Sequence, residues 1–441
     1  MTAQRLEIDH LFLFIEPDGP EIDALKRVGL TETYRRAHPG QGTANVCFAF
    51  DNLFLELLWL TSEAEARSPA IARTRLWERS RWHSKKACPV GVAVRGDLAG
   101  AGVPTWDYRP PYLAQALPAG ASIPVATASD DPALPMVFVS PGKESPLQWP
   151  EARRGGLQQA AGFGPVLSVE LGLPPRAASA PLMNGLASAS PPLRVAQRAH
   201  GRHSLRLALA DADGHHTHTL DLAATSLGQW RVSLIDEGLP ERSWQRAWAA
   251  LGLNAPAGLM QQLMDAWAEP QRHYHSLQHL RECLAHAEAA LDLAKQPGEV
   301  ELALWFHDAI YDPKGKDNEA RSADWAVQSL AQADASHDVQ GRVRALIMAT
   351  CHDAVPVDGD AQLLVDIDLA ILGAGPARFA EYDAQVREEY RWVPGWIYRS
   401  KRKEVLAGFL QRPEIYSTER FRECLEPQAR ENLRRAIGLA G

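Results

Sequence analysis

Cysteine is scarce in this chain, and the five that occur (Cys47, Cys88, Cys283, Cys351 and Cys424) are widely scattered. An odd number with no close spacing excludes a disulfide framework and fits reduced thiols in a cytosol. Long apolar runs are missing too. No window approaches the ~18 uncharged apolar residues that a spanning helix needs, so no membrane partner is expected. The opening stretch MTAQRLEIDHLFLFI lacks a basic region ahead of a long apolar run, which argues against a signal peptide. Basic charge is also in short supply: 46 Lys and Arg stand against 54 Asp and Glu, a formal charge of -8. Neutralising a phosphate backbone takes a basic surface, so no nucleic-acid partner is expected. A cytoplasmic location follows as the expectation.

What is present is an ordinary globular composition, 46% hydrophobic and 23% charged, over 441 residues. That length exceeds one typical core and predicts roughly two or three domains. The texture changes between Gln229 and Arg242. Before it lie strand patterns: 5–15, 44–50, 53–60, 89–95, 136–139, 165–173, 204–210 and 217–223. Ile22, Leu25 and Val28 fall at helical spacing between the first two. Asp51–Asn52 and Asp211–Gly214 read as hairpin turns. The Pro-, Ala-, Gly- and Ser-rich stretches 104–135 and 174–197 read as loops. From Ser243 onward the chain reads as helices, including 275–294, 298–310, 361–373, 399–411, 417–423 and 426–438. The expected domains are 1–235 and 243–441.

In the first half, LEIDHLFLF and NLFLELLWL are followed by GPVLSVELGL and THTLDLA. This paired layout resembles the vicinal oxygen chelate (glyoxalase-like) superfamily. The resemblance implies an α+β domain of two βαββ units cupped around a small-molecule site. In metal-using members the first strand of each repeat supplies a His or similar ligand and the last a Glu. His10 and Glu56 match those places in the first repeat, and Ser168 and Asp221 in the second. Serine is a poor divalent-metal ligand. Glu56 sits in a run too apolar for an unpaired charge and so calls for a partner or ligand. His200, His203, His215, His216 and His218 crowd one region, but most flank a hairpin turn, where polar residues are simply solvated. WDYRPPY, from Trp106 to Tyr112, offers an aromatic wall with Arg109.

In the second half, His275 and His279 are four apart, which on a helix gives one face. VELALWFHDAI is a strongly apolar helix ending in His307–Asp308. A buried carboxylate beside imidazoles is costly unless a cation compensates it. His352 in IMATCHD follows, then Asp366 and Asp368 in the apolar run LLVDIDLAILG. Imidazole with carboxylate suits Mn, Fe, Co, Zn or Mg.

The order H…HD…H…D, carried by RHYHSLQHL, WFHDAIYDP, DNEARSA, ATCHD and DIDLAILG, resembles the HD superfamily of metal-dependent phosphohydrolases over residues 243–441. The resemblance implies an all-α helical bundle that hydrolyses a small phosphorylated metabolite or nucleotide. It implies His279, His307, Asp308 and Asp368 as metal ligands. His352 is open between a second ion and a phosphate contact. The Tyr274–His279 spacing looks like the cyclic-nucleotide phosphodiesterases, where the His at the place of His275 protonates the leaving group. No nucleotide-selecting glutamine can be placed, so cyclic nucleotides are not implied. Glu319 is open between positioning water and capping a helix. Arg321, Arg399 and Arg402 are candidate phosphate anchors, since guanidinium matches phosphate geometry. Asp366 is expected as a hydrogen-bonding group behind the ligands.

The expectation is a multidomain phosphoric-ester hydrolase with one or two divalent ions and a small phosphorylated substrate. A homo-oligomer is compatible with it. Three alternatives stay open: a metabolite-sensing first domain that controls the second, an HD-type di-iron oxygenase that uses His352, and isomerase or lyase chemistry in the first domain.

Overall fold

The computed structural model describes residues 6–114, 118, 121–198, 203–211, 217–225, 228–351 and 356–439. The chain divides into two compact units, Met1–Glu237 and Gly238–Gly441. Among the described residues no helix is long and apolar enough to cross a membrane.

The first unit is built on β1 (Glu7–Phe14), EIDHLFLF, in which everything after Glu7 is buried. Its continuous apolar run reflects burial on both faces. It pairs parallel with β4 (Phe54–Leu60) and antiparallel with β5 (Val90–Arg95). Beyond β4 lie β3 (Thr43–Ala49) and β2 (Tyr34–His38). Beyond β5 lie β8 (Met136–Val139), β7 (Ile123–Ala126) and β6 (Thr105–Tyr108), giving an eight-stranded sheet. The two sides match in direction. β1–β4 and β5–β8 are parallel, and every further pairing outward is antiparallel. Helix α1 (Pro20–Arg27) follows β1 and buries Ile22 and Leu25.

The second repeat is therefore residues 90–139, which corrects the expectation that 165–223 forms it. The strands β9 (Phe163–Leu173), β10 (Leu193–Gln197), β11 (Ser204–Asp211), β12 (Thr217–Ala224) and β13 (Trp230–Asp236) make a separate sheet in the order β10-β9-β11-β12-β13. The error has a physical source. β6 and β7 are only four residues each, set in loop-like composition, and such short edge strands carry no readable alternation. The turn expected at Asp211–Gly214 lies largely outside the described residues, but the flanking strands pair antiparallel through Ala210 and Thr217.

Asn52 joins the two sheets. Its amide donates to Val166 O and accepts from Val166 N, each at 2.9 Å, as a strand neighbour would. Trp230 adds a second tie, donating from its backbone to Glu21 (2.8 Å) and from its indole to Phe14 O (2.9 Å). Arg79, fully buried, donates to the carbonyls of Cys88, Ser129, Pro132 and Leu134.

The second unit is helical: α2 (Leu239–Ala250), α3 (Leu259–Trp267), α4 (Leu277–Glu288), α5 (Pro297–Phe306), α6 (Asn318–Gln332), α7 (His337–Ala349), α8 (Gly359–Asp368), α9 (Pro376–Glu389), α10 (Gly395–Gln411) and α11 (Glu419–Ala436). Helix α5 is the axis of the core, buried from Gly298 to Phe306. Its two glutamates are paired. Glu299 receives Arg342 at 2.7 and 2.8 Å, and Glu301 receives Ser243 at 2.9 Å and Arg246 at 2.6 and 3.0 Å. Such pairing is what makes a carboxylate tolerable inside a core.

The two helices expected at 417–423 and 426–438 are one, α11, which runs through Pro427. Burial of Phe421 and Leu433, with Asn432 donating to Leu372 O and Ala374 O, holds it continuous despite the missing N–H. Helix α10 begins at Gly395, after Pro394, ahead of the expected start at 399.

Candidate metal centre and a second pocket

Helix α5 ends at Phe306, so His307 and Asp308 emerge at its carboxyl end. The partial negative charge of a helix terminus there favours a cation. Helix α4 presents His279 from its first turn, and α8 ends on Asp368. The four side chains converge. His279 Nε2 lies 3.2 Å from Asp368 Oδ1, 3.3 Å from His307 Nε2 and 3.8 Å from Asp308 Oδ2. His307 Nε2 lies 3.3 Å from Asp308 Oδ2 and 3.7 Å from Asp368 Oδ1. Neighbouring ligands on an ion at about 2.1 Å stand roughly 3.0–3.4 Å apart, so these residues fit a divalent ion. His307 Nδ1 donates to Leu304 O at 2.8 Å, which leaves the Nε2 lone pair for the site. Trp267 and Tyr274 pack on the imidazoles.

Cys283 also approaches. With His279, His307 and Asp368 it forms a set whose ligand atoms all lie within 4.8 Å. Its sulfur is 3.7 Å from both ring nitrogens of His279, so it lies along the lone pair of neither. Burial raises the thiol well above its ordinary pKa, and the nearby carboxylates add to that. Asp308 is the better fourth ligand.

His275 is not helical. It sits in the turn before α4, whose first residue is Leu277. Glu389, at the end of α9, holds that turn. Its Oε1 accepts the backbone N–H groups of His273, Tyr274 and His275 at 2.8–3.0 Å. Its Oε2 accepts His275 Nδ1 at 2.8 Å and Tyr311 OH at 3.1 Å. The Tyr311 ring stacks on His275 at 3.9 Å. Burial alone would lower the His275 pKa, but the Asp308 charge and the Glu389 bond outweigh it and raise it. Burial would likewise raise Glu389, yet its bonds pull it down to about 2. Arg272 clamps the other side, donating to Asp308 O at 2.7 Å, Ala309 O at 2.8 Å and His275 O at 3.1 Å. Sequence reasoning missed both groups. Glu389 follows Glu388 in a charged stretch that reads as a solvated face, whereas Arg272 stands beside the quoted histidines and was within reach.

Other expected residues lie apart from this cluster. Glu319 and Arg321 are in the first turn of α6 and make no hydrogen bond or ion pair with it among the described residues. Arg402 is bound to Asp383 at 2.9 Å and covers Tyr382, and Arg399 is exposed. Asp366 accepts Ser417 N, Thr418 N and Thr418 Oγ1 at 2.7 Å each, so it anchors the start of α11 instead of backing the ligands. His352 lies outside the described residues.

The first unit holds a cavity of about 430 Å³ inside the eight-stranded sheet. His10 and Glu56 both face it, with His10 Nε2 and Glu56 Oε2 at 3.5 Å. The expected second pair does not join them. Asp221 is on the other sheet, bound to Arg206 and Arg231, and Ser168 is on β9. The second repeat offers Gly91 and Ala93 on β5, and Met136 and Phe138 on β8. None is a ligand, so the metal of the superfamily does not fit this pocket. Tyr108 and Tyr112 line it, as the aromatic-wall reading expected, whereas exposed Arg109 does not. Of the histidine group, His203 is buried with neither ring nitrogen partnered and its pKa pushed down to about 4 by burial. His218 packs edge-on against Phe163, and His200, His215 and His216 lie outside the described residues.

No curated protein matches the chain. A family model described as a glyoxalase-like domain matches residues 8–105, which span the first repeat, β5 and the start of β6. The amino-terminal unit thus carries a glyoxalase-like domain.

Proposed function

We propose that the helical unit is a metal-dependent phosphohydrolase acting on a small phosphorylated metabolite or nucleotide. One observation carries the reading: a carboxylate oxygen of Asp308 and one of Asp368 each lie 3.2–3.8 Å from both His279 Nε2 and His307 Nε2, and those nitrogens lie 3.3 Å apart, at the end of a buried helix. When bound, a divalent ion of the Mn, Fe, Co, Zn or Mg group would polarise a phosphoryl oxygen and acidify water.

The chain's own residues supply the rest. Glu389 accepts from Nδ1 of His275 and favours its protonated form, so Nε2 carries the proton suited to a leaving oxygen. Tyr311 and Glu389 keep that ring in one orientation. Arg272 fixes the backbone on which Asp308 sits. Phosphate esters, assayed with Mn or Co added, are expected to turn over, and Asp308→Ala to abolish turnover. Activity that survives Asp308→Ala, or a silent panel, defeats the proposal. The di-iron oxygenase alternative turns on His352, and a ratio of two irons per chain would favour it.

A further inference from the structure

The floor of the first unit's cavity gathers His10, Asn45 and Glu56. His10 Nδ1 donates to Asp9 Oδ1 at 2.6 Å, and Asp9 is held in turn by Arg95 at 2.7 Å. When the ring is neutral, the other His10 nitrogen, Nε2, presents a lone pair to the cavity. It faces Glu56 Oε2 across 3.5 Å, and Glu56 is also an acceptor. Asn45 donates to Glu56 Oε1 at 2.5 Å, which fixes the orientation of its amide. The Asn45 carbonyl oxygen, buried at the same end, has no partner. An unpaired buried acceptor costs about 1–3 kcal/mol, so the Asn45 oxygen calls for a donor from outside the chain.

The mouth has the opposite character. Arg153 stacks over Trp149 at 3.7 Å, and Arg36 lies over Tyr112 at 5.1 Å. Both are exposed, and neither is ion-paired with a carboxylate among the described residues. Between floor and mouth the walls are aromatic: Phe54 stacks on His10 at 4.4 Å, and Trp149 meets Phe54 edge-on.

We propose that this cavity is a metal-free site for a small planar organic anion. The ligand turns an O–H or N–H group toward His10 Nε2, Glu56 and Asn45, and its carboxylate toward Arg36 and Arg153. His10, backed by Asp9, is placed to accept the proton of that group. The proton passes from the ligand's oxygen or nitrogen to Nε2, which leaves an imidazolium paired with Asp9 and needs no further reactant. The size suits the assignment, since small-molecule pockets run from about 300 to 1,000 Å³. The inference stands on the first unit alone and does not depend on the hydrolase reading.

The test uses the full chain and 4-hydroxybenzoate, a rigid probe with a phenol at one end and a carboxylate at the other. Calorimetry is expected to show binding at submillimolar concentration. Benzoate, which lacks the donor, and phenol, which lacks the anion, are each expected to bind roughly tenfold more weakly or worse. Asn45→Leu should erase the preference for 4-hydroxybenzoate over benzoate, and Arg153→Met the preference over phenol. Metal content per chain should be the same in His10→Ala as in the parent. No binding of the probe, equal binding of benzoate, or a lower metal content in His10→Ala overturns the proposal.

Discussion

Metal binding to the helical unit should expel a proton, and His307 is where that proton resides. Without an ion the His307 ring is buried, which by itself would lower its pKa. The charges of Asp308 and Asp368 outweigh burial and push it up to about 9. Below that pH the imidazole is protonated. Its Nδ1 proton is committed to Leu304 O, so the proton that must leave for coordination is the one on Nε2. Each ion bound near neutral pH then displaces about one proton, and affinity rises roughly tenfold per pH unit. Between pH 6.5 and 8.5 that is about a hundredfold, flattening toward 9. Calorimetric titration of Mn or Co into metal-stripped protein, in two buffers of different ionisation enthalpy, reads both affinity and proton count. Asp308→Asn removes the largest favourable charge on His307. It should lower the pKa, the proton count and the affinity together. An affinity that does not change from pH 6.5 to 8.5, with no protons released, would refute the reasoning.

Other consequences can be measured. Glu389→Gln removes the charge that supports protonated His275, so the alkaline limb of the activity profile should move to lower pH. The drop of Glu389 from 4.5 to about 2 is worth roughly 3 kcal/mol of stability. That contribution is complete above pH 4.5 and lost as pH falls toward 2, so urea unfolding of parent and variant should converge in acid. His203 works at a different pH. Its folded pKa of about 4 against 6.5 means that stability present above pH 6.5 declines by about 3 kcal/mol as pH falls to 4. His203→Phe should flatten that decline in unfolding experiments. Arg79→Met leaves the carbonyls of Cys88, Ser129 and Leu134 without their buried donor and should cost on the order of 3–5 kcal/mol in denaturant unfolding.

The helical unit was more legible than the sheet unit. Helices declare themselves over long windows, and VELALWFHD shows in one line a helix apolar all round that ends on a His–Asp pair. His279 and Asp368 stand out for the same reason, as titratable groups inside apolar runs. His275 was misplaced because a four-residue spacing suggests one helical face, whereas Glu389 captures the backbone N–H groups of that segment and holds it as a turn. Glu389 left no mark of its own, since the use of one glutamate in a charged stretch depends on what packs against it.

In the first unit the strands themselves were readable and their partners were not. LEIDHLFLF and NLFLELLWL announce buried strands, and Glu56 within one of them announces a partner. Which strands complete the second repeat is a matter of pairing between distant segments. Strands β6 and β7, four residues each, are specified more by the neighbours they join than by their own pattern. Local sequence thus determined where the chain is helix or strand and which polar side chains are out of place in apolar surroundings. Tertiary structure alone decided which of those side chains meet. Four ligand-type side chains from the ends of three helices come together, while His10 and Glu56 meet glycine, alanine and phenylalanine where a metal site would need more ligands. Convergence of that kind depends on distances across the core, which no short window of sequence encodes.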